Sequence, residues 1–318
     1  MNCAVSSISL PAERHQRGIA LVLALLVVAL ATIIAVNIMV SAEAQQRRTT
    51  LQLHGEQAWQ YVLGAEQWVA QVLFRDKRDS ATDHASEDWA VELPPLPVDG
   101  GMVQGRLEDL QGRFNLANLL RDDGTVDAAQ LLVFDRLLVS LGVSDQLSSR
   151  AVIDFIDPNQ EPALPDGAED GHYLLQPQPY RTADRVPASV GELVLVRDMD
   201  PALLAVMAPH VVALPRRTPI NVNAASAELV AALAMQISLP TAASVVAVGA
   251  DGGFDSVPAF EATLGVSPQA GVPFSVQSDF FQLSVRVDIG TVQLTLYSLL
   301  ERMPDGRTRV VARRRTPW

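Results

Sequence analysis

From Ile19 to Val40 the chain is an unbroken apolar run in which only Thr32 and Asn37 are polar and no residue is charged. At about 1.5 Å per helical residue the run is roughly 33 Å long, enough to cross a hydrocarbon core of about 30 Å. Beyond it the pattern turns periodic. Leu51, Ala58, Val62, Ala65, Val69 and Val72 or Leu73 recur at spacings of three, four or seven, with Gln45, Gln52, Glu56, Gln60, Glu66 and Gln67 between them. That is one apolar stripe on a helix. Together these stretches predict a single helix from Ile19 to about Phe74, roughly 80 Å long. Residues 19–40 form its membrane-spanning half and residues 41–75 its amphipathic half. Gly55 and Gly64 each cost up to about 1 kcal/mol relative to alanine, so bending is expected there. Trp59, Tyr61 and Trp68 are expected in the core of the domain on which the second half packs.

Past the helix, Arg75 to Asp88 is charged and loop-like, and Pro94-Pro95-Leu96-Pro97 with Gly100-Gly101 punctuates the chain. Met102 to Leu110 alternates as a strand does. Its partners come very late: Phe280–Ile289, Val292–Met303 and Arg307–Arg314 alternate apolar and polar residues, joined by Gly290-Thr291 and Pro304-Asp305-Gly306. Everything between reads as short amphipathic helices: Val126–Leu141, Ser144–Ile156, Ser189–Val196, Pro201–Met207, Ala224–Met235, Thr241–Val248 and Val257–Leu264. The predicted class is α+β, a long N-terminal helix on an antiparallel sheet with an all-helical insertion. The expected boundaries are 76–113 for the loop and first strand, 114–275 for the insertion and 276–318 for the closing strands. Phe114-Asn115-Leu116-Ala117-Asn118 and Ile220-Asn221-Val222-Asn223 echo one another, each soon followed by a helix. This predicts a weak two-fold repeat whose asparagines cap helix starts.

The residues before the apolar run decide how it is used. Arg14, His15 and Arg17 precede it, so the positive-inside rule places the N-terminus in the cytoplasm and the body across the inner membrane. Arg47 and Arg48 on the far side weaken this without reversing it. Ser41-Ala42-Glu43-Ala44 offers the small residues of a secretory cleavage site, and an uncleaved signal anchor is a further reading. A third is more specific. Basic residues, Gly18 and then the apolar helix resemble the class III leader of type IV pilins and pseudopilins, which implies cleavage between Gly18 and Ile19 by a prepilin peptidase, with methylation of the new terminus. Residues 1–18 are then a leader. Most of that family carries glutamate five residues into the mature chain, where this sequence has Leu23. An ionised carboxylate in lipid needs a neighbour to neutralise it. A subunit lacking it suits the first position of a filament, its tip.

Composition narrows the partners. The 318 residues carry 24 Lys and Arg against 36 Asp and Glu, a formal charge of −12. Such a balance argues against nucleic acid and is compatible with divalent cations. Cys3 is the only cysteine and falls in the leader, so the remainder has no disulfide to staple it. The five histidines lack zinc-ligand spacing, and no nucleophile elbow, zincin motif or phosphate loop is present. The stretch around Ile220 to Phe254 looks like a helix-hairpin-helix module, yet its turn at Gln236–Pro240 has no glycine. No Lys or Arg occurs between Arg217 and Arg286, which fits packing and not phosphate binding.

The richest chemistry lies between Asp154 and Asp170: Asp154, Asp157, Asn159, Glu161, Asp166, Glu169 and Asp170, interspersed with Pro158, Pro162 and Pro165. Calcium takes six to eight oxygen ligands, and a proline-stiffened acidic loop can supply them; a merely solvated acidic loop is the other reading. Asp122-Asp123-Gly124 with Asp127 is a lesser candidate, more often a turn. Several motifs in order resemble the K-type minor pseudopilins of type II secretion systems, the general secretion pathway protein K family. They are Asp109 to Leu119, Asp154-Phe155-Ile156-Asp157, Gly167 to Asp170 followed by Tyr173, Pro179-Tyr180, Glu192-Leu193 and Ile220 to Ala224. The resemblance implies a non-enzymatic tip subunit of the secretion pseudopilus, anchored in the bacterial inner membrane with its body in the periplasm. Its implied partners are the I-type and J-type minor pseudopilins and other pseudopilins. It also implies structural Ca2+ in the insertion, with Asp157, Asn159, Glu161, Glu169 and Asp170 as the expected ligands. A minor pilin of a type IV pilus and a membrane-anchored periplasmic calcium-dependent enzyme remain as alternatives.

Overall fold

The structure is a computed structural model that describes residues 14–92 and 94–318, with side chains from residue 19 onward. Residues 1–13 of the expected leader lie outside them. One helix, α1 (Arg14–Asp79), carries both predicted halves and runs unbroken through Gly55 and Gly64. The chain divides between Gln57 and Ala58 into two units. In the first, every apolar side chain from Ile19 to Val40 is exposed, as a segment meant for lipid must be.

The second unit holds a five-stranded antiparallel sheet in the order β1 (Leu96–Val98), β2 (Gly101–Asp109), β7 (Phe280–Ile289), β8 (Val292–Arg302) and β9 (Thr308–Arg314). The later part of α1 lies on it. Ala58, Val62, Val69 and Leu73 bury against Leu107, Phe281, Leu283, Val285, Val287 and Leu300. Full burial of one such aliphatic side chain is worth about 1.5 to 3 kcal/mol, which is what holds the stripe down. One polar clamp joins the apolar ones. Glu66, buried on α1, accepts two bonds of 2.7 Å from Arg313 and one of 2.6 Å from Ser298, a bidentate geometry that fixes helix against sheet. Two of the three aromatics follow expectation in packing on this core, Trp59 and Tyr61. Trp68 does not; at 54% exposed it lies off the stripe.

Between β2 and β7 comes the helical middle region. It contains α2 (Ala128–Ser140), α3 (Ser149–Ile156), α4 (Asp170–Tyr173), α5 (Pro201–Met207), α6 (Ala227–Ala232), α7 (Leu239–Gly249) and α8 (Val257–Leu264). Its own core includes Phe114 stacked on Phe134 at 5.2 Å, with Phe155, Tyr173, Met207, Leu229 and Phe260. The residues expected to form a helix over Ser189–Val196 make a 3-10 stretch, Val190–Leu195. Because Asp109 pairs with Phe281, the region leaves and rejoins the sheet at one end. That is also the end where α1 terminates, since Arg302 at the close of β8 bonds Asp76 on the last turn of α1 at 2.7 Å.

The echoing segments behave as a pair, by a device other than the one expected. Phe114–Asn115 (β3) pairs in parallel with Val211–Val212 (β4), and Ile220–Asn221 (β5) with Phe274–Ser275 (β6). Each half therefore opens and closes on a two-residue ladder. Asn115 does cap the short 3-10 turn that follows it, through Ala117 N–H. Asn221 and Asn223 instead stitch distant segments. Asn221 Nδ2 donates to the Asp83 carbonyl, to Asp109 Oδ2 and to Ser278 Oγ, while Asn223 bonds both backbone groups of Phe254. Ser226, not an asparagine, caps α6.

Candidate metal centre

Helix α3 starts at Ser148, whose hydroxyl accepts from Arg150 N–H, and stops where Pro158 removes the next donor. Asp154 sits in its last turn. The carboxylate accepts from Ala163 N–H at 3.0 and 3.2 Å, which folds the proline-rich loop back over the helix end. Gly167 then passes so close that a Cβ there would meet Asp154 Oδ2 at 2.1 Å, a contact only glycine permits. This delivers Glu169 and Asp170 beside Asp154 and Asp157.

Glu169 is the centre of the arrangement. It is 4% exposed, and both its carboxylate oxygens lack a hydrogen-bond partner. Burial pushes its carboxyl up to about 8, helped by the negative charges of Asp154, Asp157, Asp184 and Asp170. Asp157 is raised to about 6, again mainly by burial and then by Asp154 and Asp184. Asp170 accepts from Thr182 N–H at 3.0 Å and from Arg181 at 2.9 Å, while Asp184 accepts from Thr182 Oγ1 at 2.7 Å and Gln160 at 3.1 Å. A buried carboxylate with no donor must either hold a proton or meet a cation. Five carboxylates and no sulfur or nitrogen ligand make a set suited to a hard, oxygen-seeking cation.

Of the expected ligands, Asp157 and Asp170 lie near enough to Glu169 for their charges to raise its carboxyl. Asn159 and Glu161 are not among the groups that do so. Both are exposed, and Asn159 Oδ1 is spent on Glu161 N–H at 2.7 Å in a local turn. Asp154, in the same acidic run, also acts on Glu169 by its charge, though it was not among the expected ligands. Asp184 lies beyond that run, and no spacing pointed to it. The lesser candidate is a turn and a cap. Asp123 accepts from Thr125 N–H and Oγ1, and Asp127 caps α2 while pairing with Arg217 at 2.6 Å.

A second acidic cluster lies at the end of the sheet, where Asp76, Asp83 and Glu87 each place one oxygen within 4.8 Å of the others.

Two family models described as "Type II secretion system (T2SS), protein K" match residues 112–216 and 220–282, dividing the middle region where its ladders divide. The type II secretion system protein K of Pseudomonas aeruginosa is 36% identical over 95% of this chain and 93% of its own length. The chain belongs to the type II secretion system protein K family. The Klebsiella pneumoniae member is 33% identical, over 95% of this chain and 97% of its own. A chain in the crystal structure of the GspK-GspI-GspJ complex from the enterotoxigenic Escherichia coli type 2 secretion system superposes with a TM-score of 0.72 and 24% identity. It covers 84% of this chain and 98% of that one, so the K-family fold is shared: long helix, five-stranded sheet and helical middle region. The chain is accordingly a pseudopilin component of protein transport by type II secretion, and α1 supplies one span long and apolar enough for a single-pass anchor.

Proposed function

We propose that this protein is the tip subunit of a type II secretion pseudopilus, processed after Gly18 and joined to I-type and J-type minor pseudopilins. One observation carries the reading: the helical middle region caps the end of the sheet where α1 terminates, at the register Asp109 with Phe281. A further pilin-like subunit would meet the middle region there in place of the sheet end. The absence of a carboxylate at Leu23 supports the same position, because a first subunit has no earlier neighbour whose terminal amine needs a partner. Assembly with I-type and J-type proteins is supported by the complex named for the E. coli relative. In this reading the body is periplasmic, residues 114–275 form the insertion, and the protein acts by assembly and not by catalysis.

The acidic loop is the structural calcium site of the insertion. Glu169, Asp157, Asp170, Asp154 and Asp184 hold the ion, and the orphaned Glu169 oxygens support this most directly. Asn159 and Glu161 are reserve oxygens on the same loop.

Intact mass and N-terminal sequencing, with and without a co-expressed prepilin peptidase, test the processing step. A peptidase-dependent start at Ile19 is expected. Cleavage near Ala42 or Ala44, or none, sinks the pseudopilin-processing reading. Co-purification with I-type and J-type partners, in place of type IV pilus partners, then tests the assembly.

A further inference from the structure

At the seam between α1, the sheet and the middle region, three carboxylates gather, two of them paired with one guanidinium. Asp76 lies in the last turn of α1, and Asp83 and Glu87 follow in the turn after it. Arg302 Nη1 bonds Asp76 Oδ2 at 2.7 Å, and its Nη2 bonds both Asp83 Oδ2 and, at 2.7 Å, the Ser278 carbonyl. Arg302 is 2% exposed and lies over the Phe281 ring. Fixed positive charge falls short here: Arg302 pairs with Asp76 and Asp83, and the only basic group beside Glu87 among the described ion pairs is the His84 ring, its Nε2 3.7 Å from Oε1. Asp83 is 1% exposed, yet its Oδ1 has no hydrogen-bond partner among the described residues. Glu87 is held from its other oxygen, Oε2, which accepts from His84 N–H at 3.0 Å and Trp89 Nε1 at 2.7 Å.

We infer that Asp76, Asp83 and Glu87 bind one divalent cation of the calcium class, a site separate from the acidic loop. Three oxygens within 4.8 Å of one another fit a common centre at calcium's about 2.3 to 2.6 Å. A charge of plus two neutralises what Arg302 leaves. Asp76 and Asp83 then bridge, giving one oxygen to the guanidinium and the other to the ion. Such an ion pins the end of α1 to the turn at 83–89. It also reaches the middle region, because Asp83 N–H donates to the Val276 carbonyl and the Asp83 carbonyl accepts from Asn221. A proton shared by Asp76 and Asp83 is the competing occupant.

The test uses the full chain in detergent, stripped by chelator, in a Glu169→Gln background that disables the loop site. Calcium is measured by equilibrium dialysis, and terbium by emission excited through tryptophan, for which Trp89 is hydrogen-bonded to Glu87 itself. Glu169→Gln is expected to retain one bound ion and sensitised terbium emission. Adding Glu87→Gln removes both, Asp76→Asn does the same by an independent route, and Trp89→Phe dims the emission while leaving the bound calcium. Folding of each variant is checked by circular dichroism. Equal calcium with and without Glu87→Gln and Asp76→Asn, or none bound in the Glu169→Gln background, overturns the proposal and leaves the cluster holding a proton only. The wild type against Glu169→Gln reports on the loop site alone, so failure of one site is distinguishable from failure of the other.

Discussion

The two acidic clusters solve the same problem differently. At the seam, Arg302 is folded into the cluster and lies between Asp76 and Asp83, with its charge delivered by the chain itself. At the loop, Arg181 is the basic partner, and it reaches Asp170 from solvent with its side chain 74% exposed. Glu169 therefore faces its neighbours with nothing from the protein to balance it. A cluster with a built-in cation keeps part of its geometry, the Arg302 pairs with Asp76 and Asp83, when external ions are removed. One without it depends on protons or a bound ion for its shape.

Removing the built-in cation is the sharpest way to break the comparison. Arg302→Met leaves the buried Asp83 and the half-buried Asp76 without their guanidinium, and losing one partner of a buried pair costs about 3 to 5 kcal/mol. The thermal midpoint is expected to fall by several degrees whether calcium is present or not, measured by circular dichroism melting. A variant that melts with the wild type would mean that the seam is far wetter than its burial indicates.

Next in size is calcium itself. At a hundred-fold excess over its dissociation constant, a ligand bound only by the native state adds about 2.7 kcal/mol, which chelator should remove. The pH dependence fixes the sign. The Glu169 carboxyl rises to about 8 in the folded chain, so between the ordinary carboxylate range and 8 the native state holds more protons than the unfolded one. Stability of the calcium-free chain must then fall as pH rises through that window. Calcium displaces the proton and flattens or reverses the slope. Glu169→Gln should reduce both the slope and the calcium response, leaving the part that Asp76 and the seam contribute, and a chelator-treated protein whose melting is independent of pH between about 5 and 8 would contradict the burial of that charge.

The smallest effects belong to the exposed part of the loop. Asn159→Ala and Glu161→Gln should each change stability by no more than about 0.5 kcal/mol and leave calcium affinity nearly unchanged in titration calorimetry. A large loss of affinity in either would bring those side chains into the coordination shell and redraw the site.

The sequence displayed the elements whose periodicity is long. α1 and the strands β7 to β9 were legible because many successive residues repeat the same choice of face. The strand β1 was not, because Leu96-Pro97-Val98 looks like punctuation; proline is tolerated there only because the strand lies at the sheet's edge. The two-residue ladders of β3 to β6 are too short to carry any period. At the loop, the acidic residues were visible as a run, and the run contained four of the five clustered carboxylates, Asp154, Asp157, Glu169 and Asp170, of which three were expected as ligands. Asp184 was invisible for a physical reason: it enters through a backbone turn with φ of 49° and a hydrogen bond to Thr182, neither of which leaves a spacing signal.

By itself the sequence determined that a lipid-length helix continues into an amphipathic one, that an antiparallel sheet is interrupted by helices, and that negative charge is concentrated in one proline-rich stretch. These follow from local patterns, since partitioning of side chains between water, lipid and core acts residue by residue. Only the tertiary structure decided which carboxylates lose their water. Glu169 and Asp83 are chemically ordinary until residues far along the chain, Asp184 in one case and Arg302 in the other, close around them, because desolvation and charge coupling depend on distance in space and not on order in the chain.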